Sequence, residues 1–135
     1  MTDSMSAEQL HATDPSAAAL GIELVEATPG RVTIRVVVTE EMLNPRGTCH
    51  GGIIFQLADT AMAYVSNADG PVAMATAATI DFVAAAYVGD VLTASIATTL
   101  DVRNALHDAV ITSEDRVIAH FRGKTLRLTT ENAKS

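Results

Sequence analysis

The residues best able to do chemistry lie close together in this sequence. Asn44-Pro45-Arg46-Gly47-Thr48-Cys49-His50-Gly51-Gly52 leads into an apolar run, and Asp59 stands inside that run. Two adjacent glycines let another group approach the backbone closely. If a helix begins there, its first amides lack internal acceptors and sit at the positive end of the helix dipole. Donors so placed can stabilise an oxyanion. The plainer reading is a glycine-rich start to a tightly packed helix. A carboxylate such as Asp59 is costly to bury unpaired. Desolvation would raise its pKa, which suits a general base or nucleophile. Its plainer role is an acid facing solvent or capping a loop, the reading given to Asp69 and Asp81.

Spacing constrains any joint action. Gly51 and Asp59 are eight residues apart, about 12 Å along a helix axis. Asp59 cannot reach an oxyanion held at the start of its own helix. If both act on one carbonyl, two chains must supply them, and the site lies across a symmetric dimer interface.

The other candidates carry less. Cys49 and His50 are adjacent, so in an extended segment they point apart and do not form a nucleophilic pair; Cys49 reads as a small packed residue. His50 can donate to a bound carbonyl or orient the loop. His107 and His120 fall on expected strands, and His11 lies near the terminus. No spacing of His, Asp and Glu suggests a metal, and Gly-x-Ser-x-Gly is absent. Met42, Met62 and Met74 read as core or pocket fillers.

These groups must be positioned by one domain. The chain has 135 residues, 48% apolar, with one cysteine and a formal charge of -7. That length fits a single domain over 1–135, with residues 1 to about 12 expected to fray. One cysteine excludes a disulfide framework and fits a reducing compartment. The acidic balance argues against broad binding to nucleic acid. The first 30 residues carry five acids and no Lys or Arg, unlike a signal peptide, so a cytoplasmic location is expected. The apolar run from Gly51 to Val65 is short for a membrane span and holds Gln56 and Asp59. Five of the nine basic residues lie between 103 and 127. They could hold a small anion or act as solvated strand-edge charges.

Asp14, Pro15 and Gly21 outline a short helix within Ala12 to Leu20. Ile22 to Ala27 reads as a strand. Arg31 to Thr39 alternates, with Val32, Ile34, Val36 and Val38 on one face. A long helix follows from Gly51 or Gly52 to Ser66. It is apolar nearly all round, so other structure must wrap it. Val72 to Val83, Val91 to Leu100, Ala109 to Thr112 and Val117 to Leu128 read as strands, with Gly123 expected to mark a bulge. Strands segregated from one long helix give an α+β class, with an antiparallel sheet curled round that helix.

The sequence resembles the hotdog-fold thioesterases, most closely the PaaI-type phenylacetyl-CoA thioesterases. The likeness runs from Ala19-Leu20-Gly21-Ile22 to Arg122-Gly123-Lys124. Its strongest parts are Met42-Leu43-Asn44, Cys49-His50-Gly51-Gly52, and Leu57-Ala58-Asp59-Thr60-Ala61 with Ala63-Tyr64. Thr79-Ile80-Asp81-Phe82, Gly89-Asp90 and Phe121-Arg122-Gly123-Lys124 add to it. The resemblance implies a helix inside a curved sheet, a homodimer, and often a homotetramer. It implies that Asp59 attacks a thioester or activates water, while the Gly51 or Gly52 N–H of the other subunit polarises the carbonyl. Asn44 would hold the carbonyl or the water, and His50 would support the loop. Arg122, Gly123 and Lys124 would lie near the CoA moiety, with phosphate meeting Arg122 or Lys124. The family's Gly-Arg/Lys and Tyr-Asp segment is replaced by the shorter Asp101 to Asp108, which ends in His107-Asp108.

The expected activity is hydrolysis of an aryl-acetyl or medium-sized acyl-CoA to free acid and CoA, without metal or prosthetic group. Leu57, Met62 and Tyr64, or the strand from Met74 to Ala78, are the expected walls of the acyl pocket. Two alternatives stand beside it: an enoyl-thioester hydratase, which needs a converging His and carboxylate, and a non-catalytic acyl-CoA-binding or regulatory domain.

Overall fold

The alternation between Arg31 and Thr39 is carried directly into structure. In the computed structural model, which describes residues 4–128, Val32, Ile34, Val36 and Val38 are buried while Arg31, Arg35, Val37 and Thr39 are exposed. The element order is α1 (Ala7–Ala12), α2 (Pro15–Leu20), β1 (Glu23–Thr28), β2 (Arg31–Val37), α3 (Gly51–Asn67), β3 (Ala73–Phe82), β4 (Val91–Leu100), β5 (Asn104–Ser113) and β6 (Arg116–Arg127). The six strands form one antiparallel sheet in the order β1-β2-β4-β5-β6-β3. α3 packs against β2 to β6, which is the α+β arrangement expected from the strand and helix order.

The core is the seam between sheet and helix. Ile54, Leu57, Ala58, Ala61, Met62 and Tyr64 of α3 meet Ile34, Leu92, Ile96, Ile111, Ile118 and Phe121 from the strands. At Gly123 of β6 the sheet and helix come close together. A Cβ there would lie 2.1 Å from Met62 Sδ and 3.0 Å from Phe121 Cε1. The glycine therefore makes room for the helix. The bulge expected at Gly123 is instead on the neighbouring strand, between Ala75 and Ala77 of β3. Gly123 itself keeps regular pairing with Ala78 and His107. The extra residue, Thr76, donates its Oγ1 to the Lys124 carbonyl at 3.3 Å.

The start of the chain differs from expectation. Residues 1–3 of the segment expected to fray lie outside the described residues, but Ala7–Ala12 is a helix. Ser6 and Gln9 form a reciprocal capping box, which satisfies two helix-start donors. Tyr64 then ties this region to α3: its hydroxyl donates to Asp14 Oδ2 at 2.8 Å and accepts from His11 Nδ1 at 3.0 Å. Asp14 also caps α2, whose start at Pro15 and stop at Gly21 agree with the sequence reading. A second difference lies in Asp101 to Asp108. Strand β5 begins at Asn104, so five of the eight residues of that segment are sheet.

His107 points into the molecule and is almost fully buried. Its Nδ1 meets Thr98 Oγ1 at 2.9 Å and its Nε2 meets Thr125 Oγ1 at 2.8 Å. Burial lowers its pKa, outweighing the opposing pull of Asp101 and Asp108.

Coverage of the helix and sheet is incomplete in the single chain. On α3, Gly52, Gln56, Asp59 and Ala63 form a stripe turned away from the buried face, following the helical spacing of three to four residues. At the sheet edge, β3 is exposed along most of its length. Val72, Met74, Phe82 and Val83 are each more than half exposed. Among the described residues no helix is long and apolar enough to cross a membrane.

Replacing Gly123 by Ala forces Met62 to move within a filled core, and overpacking of this kind costs about 1–3 kcal/mol. Urea unfolding should show that loss for Gly123→Ala. Adding Met62→Ala to the Gly123→Ala protein should cost less than Met62→Ala costs alone, since the new methyl then occupies part of the vacated space.

Candidate active site

The loop before α3 is built around Asn44. Its Oδ1 accepts from the Arg46 and Thr48 amides at 2.9 and 3.2 Å, and its Nδ2 donates to Thr48 Oγ1 at 2.9 Å. The side chain thus folds residues 44–48 into a turn, as Asn does when it substitutes for backbone partners. Cys49 is buried behind it, and burial pushes its thiol pKa up. Two backbone bonds lock the loop: Cys49 N–H to the Ala86 carbonyl at 2.8 Å, and His50 N–H to the Met42 carbonyl at 2.7 Å.

His50 is the N-cap of α3. Its Nδ1 accepts from Gly52 N–H at 2.8 Å, and its carbonyl accepts from Ile53 and Ile54. Of the first helical amides, Gly52 and Ile53 are therefore engaged, while the Gly51 N–H has no partner among the described residues. The structure thus separates the two glycines the sequence left equivalent. Phe82 packs on Gly51 from the end of β3: a Cβ on Gly51 would lie 3.1 Å from the Phe82 Cζ. Sequence reasoning missed this contact. The residues are 31 positions apart and meet only where the end of β3 reaches the start of α3.

Asp59 lies two turns further along α3, on its open stripe. The carboxylate is half-buried, no described side chain bonds to it, and burial raises its pKa. The structure does not bring Asp59 and Gly51 together within one chain, as the axial separation of about 12 Å requires.

The expected substrate-binding residues divide into two groups. Leu57, Met62 and Tyr64 are all buried in the core of the single chain, with Met62 under Gly123 and Tyr64 bonded to Asp14. Gly123 is likewise buried. Arg122 and Lys124 are exposed on the outer face of β6. Arg122 is engaged by Asp108 through two bonds, Nε to Oδ1 at 2.7 Å and Nη2 to Oδ2 at 3.1 Å. The Arg122 hydrogen bond holds the Asp108 carboxyl below the usual range, and the pairing raises the Arg122 pKa. Arg116 and Arg127 are paired with Asp90 and Asp101. Three of the five clustered basic residues are therefore committed, while Lys124 has no ion pair among the described residues. No group of three or more His, Cys, Asp or Glu among the described residues is arranged to hold a metal.

Comparison with known proteins places this geometry in a family. Residues 46–101 match the Thioesterase superfamily. The chain is 38% identical over 129 residues to the acyl-coenzyme A thioesterase PaaI of Escherichia coli K12, covering 91% of this chain and 89% of that protein. The structure of E. coli PaaI, from the phenylacetic acid degradation operon, superposes with a TM-score of 0.89 at 37% identity, over 92% of this chain and 91% of that one. A mutant of the phenylacetic acid degradation protein PaaI from Thermus thermophilus superposes with a TM-score of 0.81 at 33% identity, over 85% and 100%. A Streptococcus pneumoniae thioesterase structure containing coenzyme A does so at 0.75 and 25%, over 78% and 87%. The chain belongs to the thioesterase superfamily, within its PaaI-type hotdog branch. It is a thioester hydrolase by that membership, and its curved sheet around α3 is the hotdog fold.

The raised pKa of Asp59 has a consequence for stability. A carboxyl with a higher pKa folded than unfolded loses stability as pH rises from the unfolded value, about 3.9 for Asp, through the folded one; above that the penalty is constant. Asp59→Asn removes the ionisable group. It should therefore raise the urea midpoint at pH 7, and the gain should fade as both pKa values are passed on acidification. Parallel urea titrations at pH 7 and below pH ~4 check this.

Proposed function

We propose that this chain hydrolyses an acyl-CoA thioester carrying an aryl-acetyl or medium-sized acyl group, releasing free acid and CoA. The observation that carries the reading is the unpartnered Gly51 N–H at the start of a helix whose Asp59 is out of its reach. The acyl-CoA activity named for the E. coli relative and the coenzyme A in the S. pneumoniae structure support the substrate class.

In this reading a second copy pairs along β3. An exposed edge strand with apolar residues on it is a template for another strand. Val72, Met74 and Val83 would lose water there. The same pairing would bring Asp59 of the second copy opposite Gly51 of the first. Two such dimers would make the homotetramer common in the family. The Gly51 N–H would donate to the thioester oxygen as negative charge develops on it. Asp59 would either take a proton from the attacking water or attack the carbonyl carbon itself, giving an anhydride that water then opens. In both cases the C–S bond breaks and CoA leaves as thiolate and takes up a proton; water adds to the acyl carbon in the first route, and in the second it cleaves the anhydride to the free acid and the restored Asp59 carboxylate. Asn44 shapes the loop and His50 caps the helix, so both act by holding the Gly51 amide in place. Lys124 would meet the CoA phosphates, joined by Arg122 where Asp108 shares it. The reading needs no metal or prosthetic group and suits a soluble cytoplasmic enzyme.

Thiol release from phenylacetyl-CoA tests it. Asp59→Asn should lower the rate by at least ~10²-fold, the scale for removing a general base, with the molar mass by light scattering unchanged. The acid limb of the wild-type pH profile should fall above the range of an ordinary aspartate, because the carboxylate is the active form and burial raises its pKa. Equal rates in wild type and Asp59→Asn would remove Asp59 from the reaction.

A further inference from the structure

We propose that the acyl group sits in the apolar cleft between Gly51, Phe82 and the loop Ala84–Ala86, and that the Phe82 ring selects for an aromatic acyl group. This rests on the thioester hydrolase reading above, but it places the acyl site where none of the expected wall residues lies. Leu57, Met62 and Tyr64 are used up in the core of the chain. The cleft is open to solvent, offers about 440 Å³, and is lined by Cys49, Ile54, Phe82 and residues 83–86 as well as Gly51. That volume is within the range of small-molecule sites.

Distance ties Phe82 to the reacting carbonyl. An oxygen bonded to the Gly51 N–H lies about 2.9 Å from that nitrogen. The carbonyl carbon and the first acyl carbon follow within two covalent bonds. The tip of the Phe82 ring is already in contact range of the Gly51 α-carbon, with Cζ and Cε1 3.1 and 3.3 Å from a Cβ position there. A thioester arm that leaves the carbonyl on the α-carbon side of Gly51 runs beside this ring. Phe82 is 54% exposed as a residue, so it has surface to offer.

The chemistry of the cleft decides which arm that is. The pantetheine arm of CoA carries amides that need hydrogen-bond partners when taken out of water. The side chains of the cleft offer no strong donor or acceptor, and the backbone of its loop is largely occupied. The Val83 and Ala84 amides donate to the Ile118 carbonyl, and the Ala86 carbonyl accepts from Cys49. The Ala85 carbonyl accepts from Arg116 Nη1 at 2.9 Å. An apolar acyl arm suits such walls, and the pantetheine arm does not. The loop is also held in place. Arg116 Nη2 reaches Asp90 Oδ2 at 2.9 Å, and the same oxygen accepts from the Tyr87 amide. A fixed wall discriminates by shape, and aromatic pairs gain stabilisation beyond that of buried area. In an aryl-acetyl thioester the ring begins one carbon beyond the carbonyl, within reach of Phe82.

The test compares kcat/KM for phenylacetyl-CoA and hexanoyl-CoA in the intact protein, with molar mass followed by light scattering. Phe82→Ala should lower the phenylacetyl-to-hexanoyl ratio about tenfold. Phe82→Leu, which keeps bulk but loses the aromatic face, should lower it several-fold, and Phe82→Tyr should retain it. A ratio unchanged within twofold in both Phe82→Ala and Phe82→Leu, with wild type active, overturns the assignment of the cleft and leaves the hydrolase reading standing. Loss of activity in equal proportion on both esters, with dissociation of the protein, also overturns it and makes Phe82 an interface anchor. Absence of thiol release by wild type from a broad ester panel removes the hydrolase reading, and this one with it.

Discussion

A 17-residue helix with one fully charged side chain has to be covered, and the rest of the structure follows from how that is done. A single six-stranded sheet bends round α3, and Gly123 leaves room there for Met62. The terminal elements close another side through the Tyr64 hydroxyl. What is left open is a stripe bearing Asp59 and, at the sheet edge, the length of β3. Desolvation of Asp59 and the lack of a partner for the Gly51 amide are both products of this packing. The helix that must be buried for stability also carries the groups that the proposed hydrolysis needs accessible.

Much of the fold was legible in the sequence because its signals are local. The period-two alternation of β2 survives residue by residue. Asp14, Pro15 and Gly21 mark the bounds of α2, and Gly51 marks the start of α3, since capping and turn chemistry depend on near neighbours. The separation of Gly51 from Asp59 needed only the rise of a helix. The N-terminal helix was missed because a six-residue segment has little helical tendency by itself. Its stability comes from the capping box and from docking, through His11, onto a tyrosine 53 positions away.

The site was less legible for the same reason in reverse. Arg122 is an available cation in sequence. In the fold, strand register sets it beside Asp108 and commits it. Tyr64 is an expected pocket wall in the sequence, while in the fold helical rotation turns it toward Asp14. Phe82 gave no sign of its contact with Gly51, since no periodicity reports where the end of one strand meets the start of a distant helix. Pairing partners across a sheet are properties of topology, which a linear pattern constrains only loosely.

The cap on α3 has a chemical corollary. Because Nδ1 of His50 accepts the Gly52 hydrogen, the neutral imidazole must hold its own proton on Nε2. That fixes one tautomer and leaves the ring a donor on its far side. One ring therefore closes the helix with one nitrogen and carries a donor on the other.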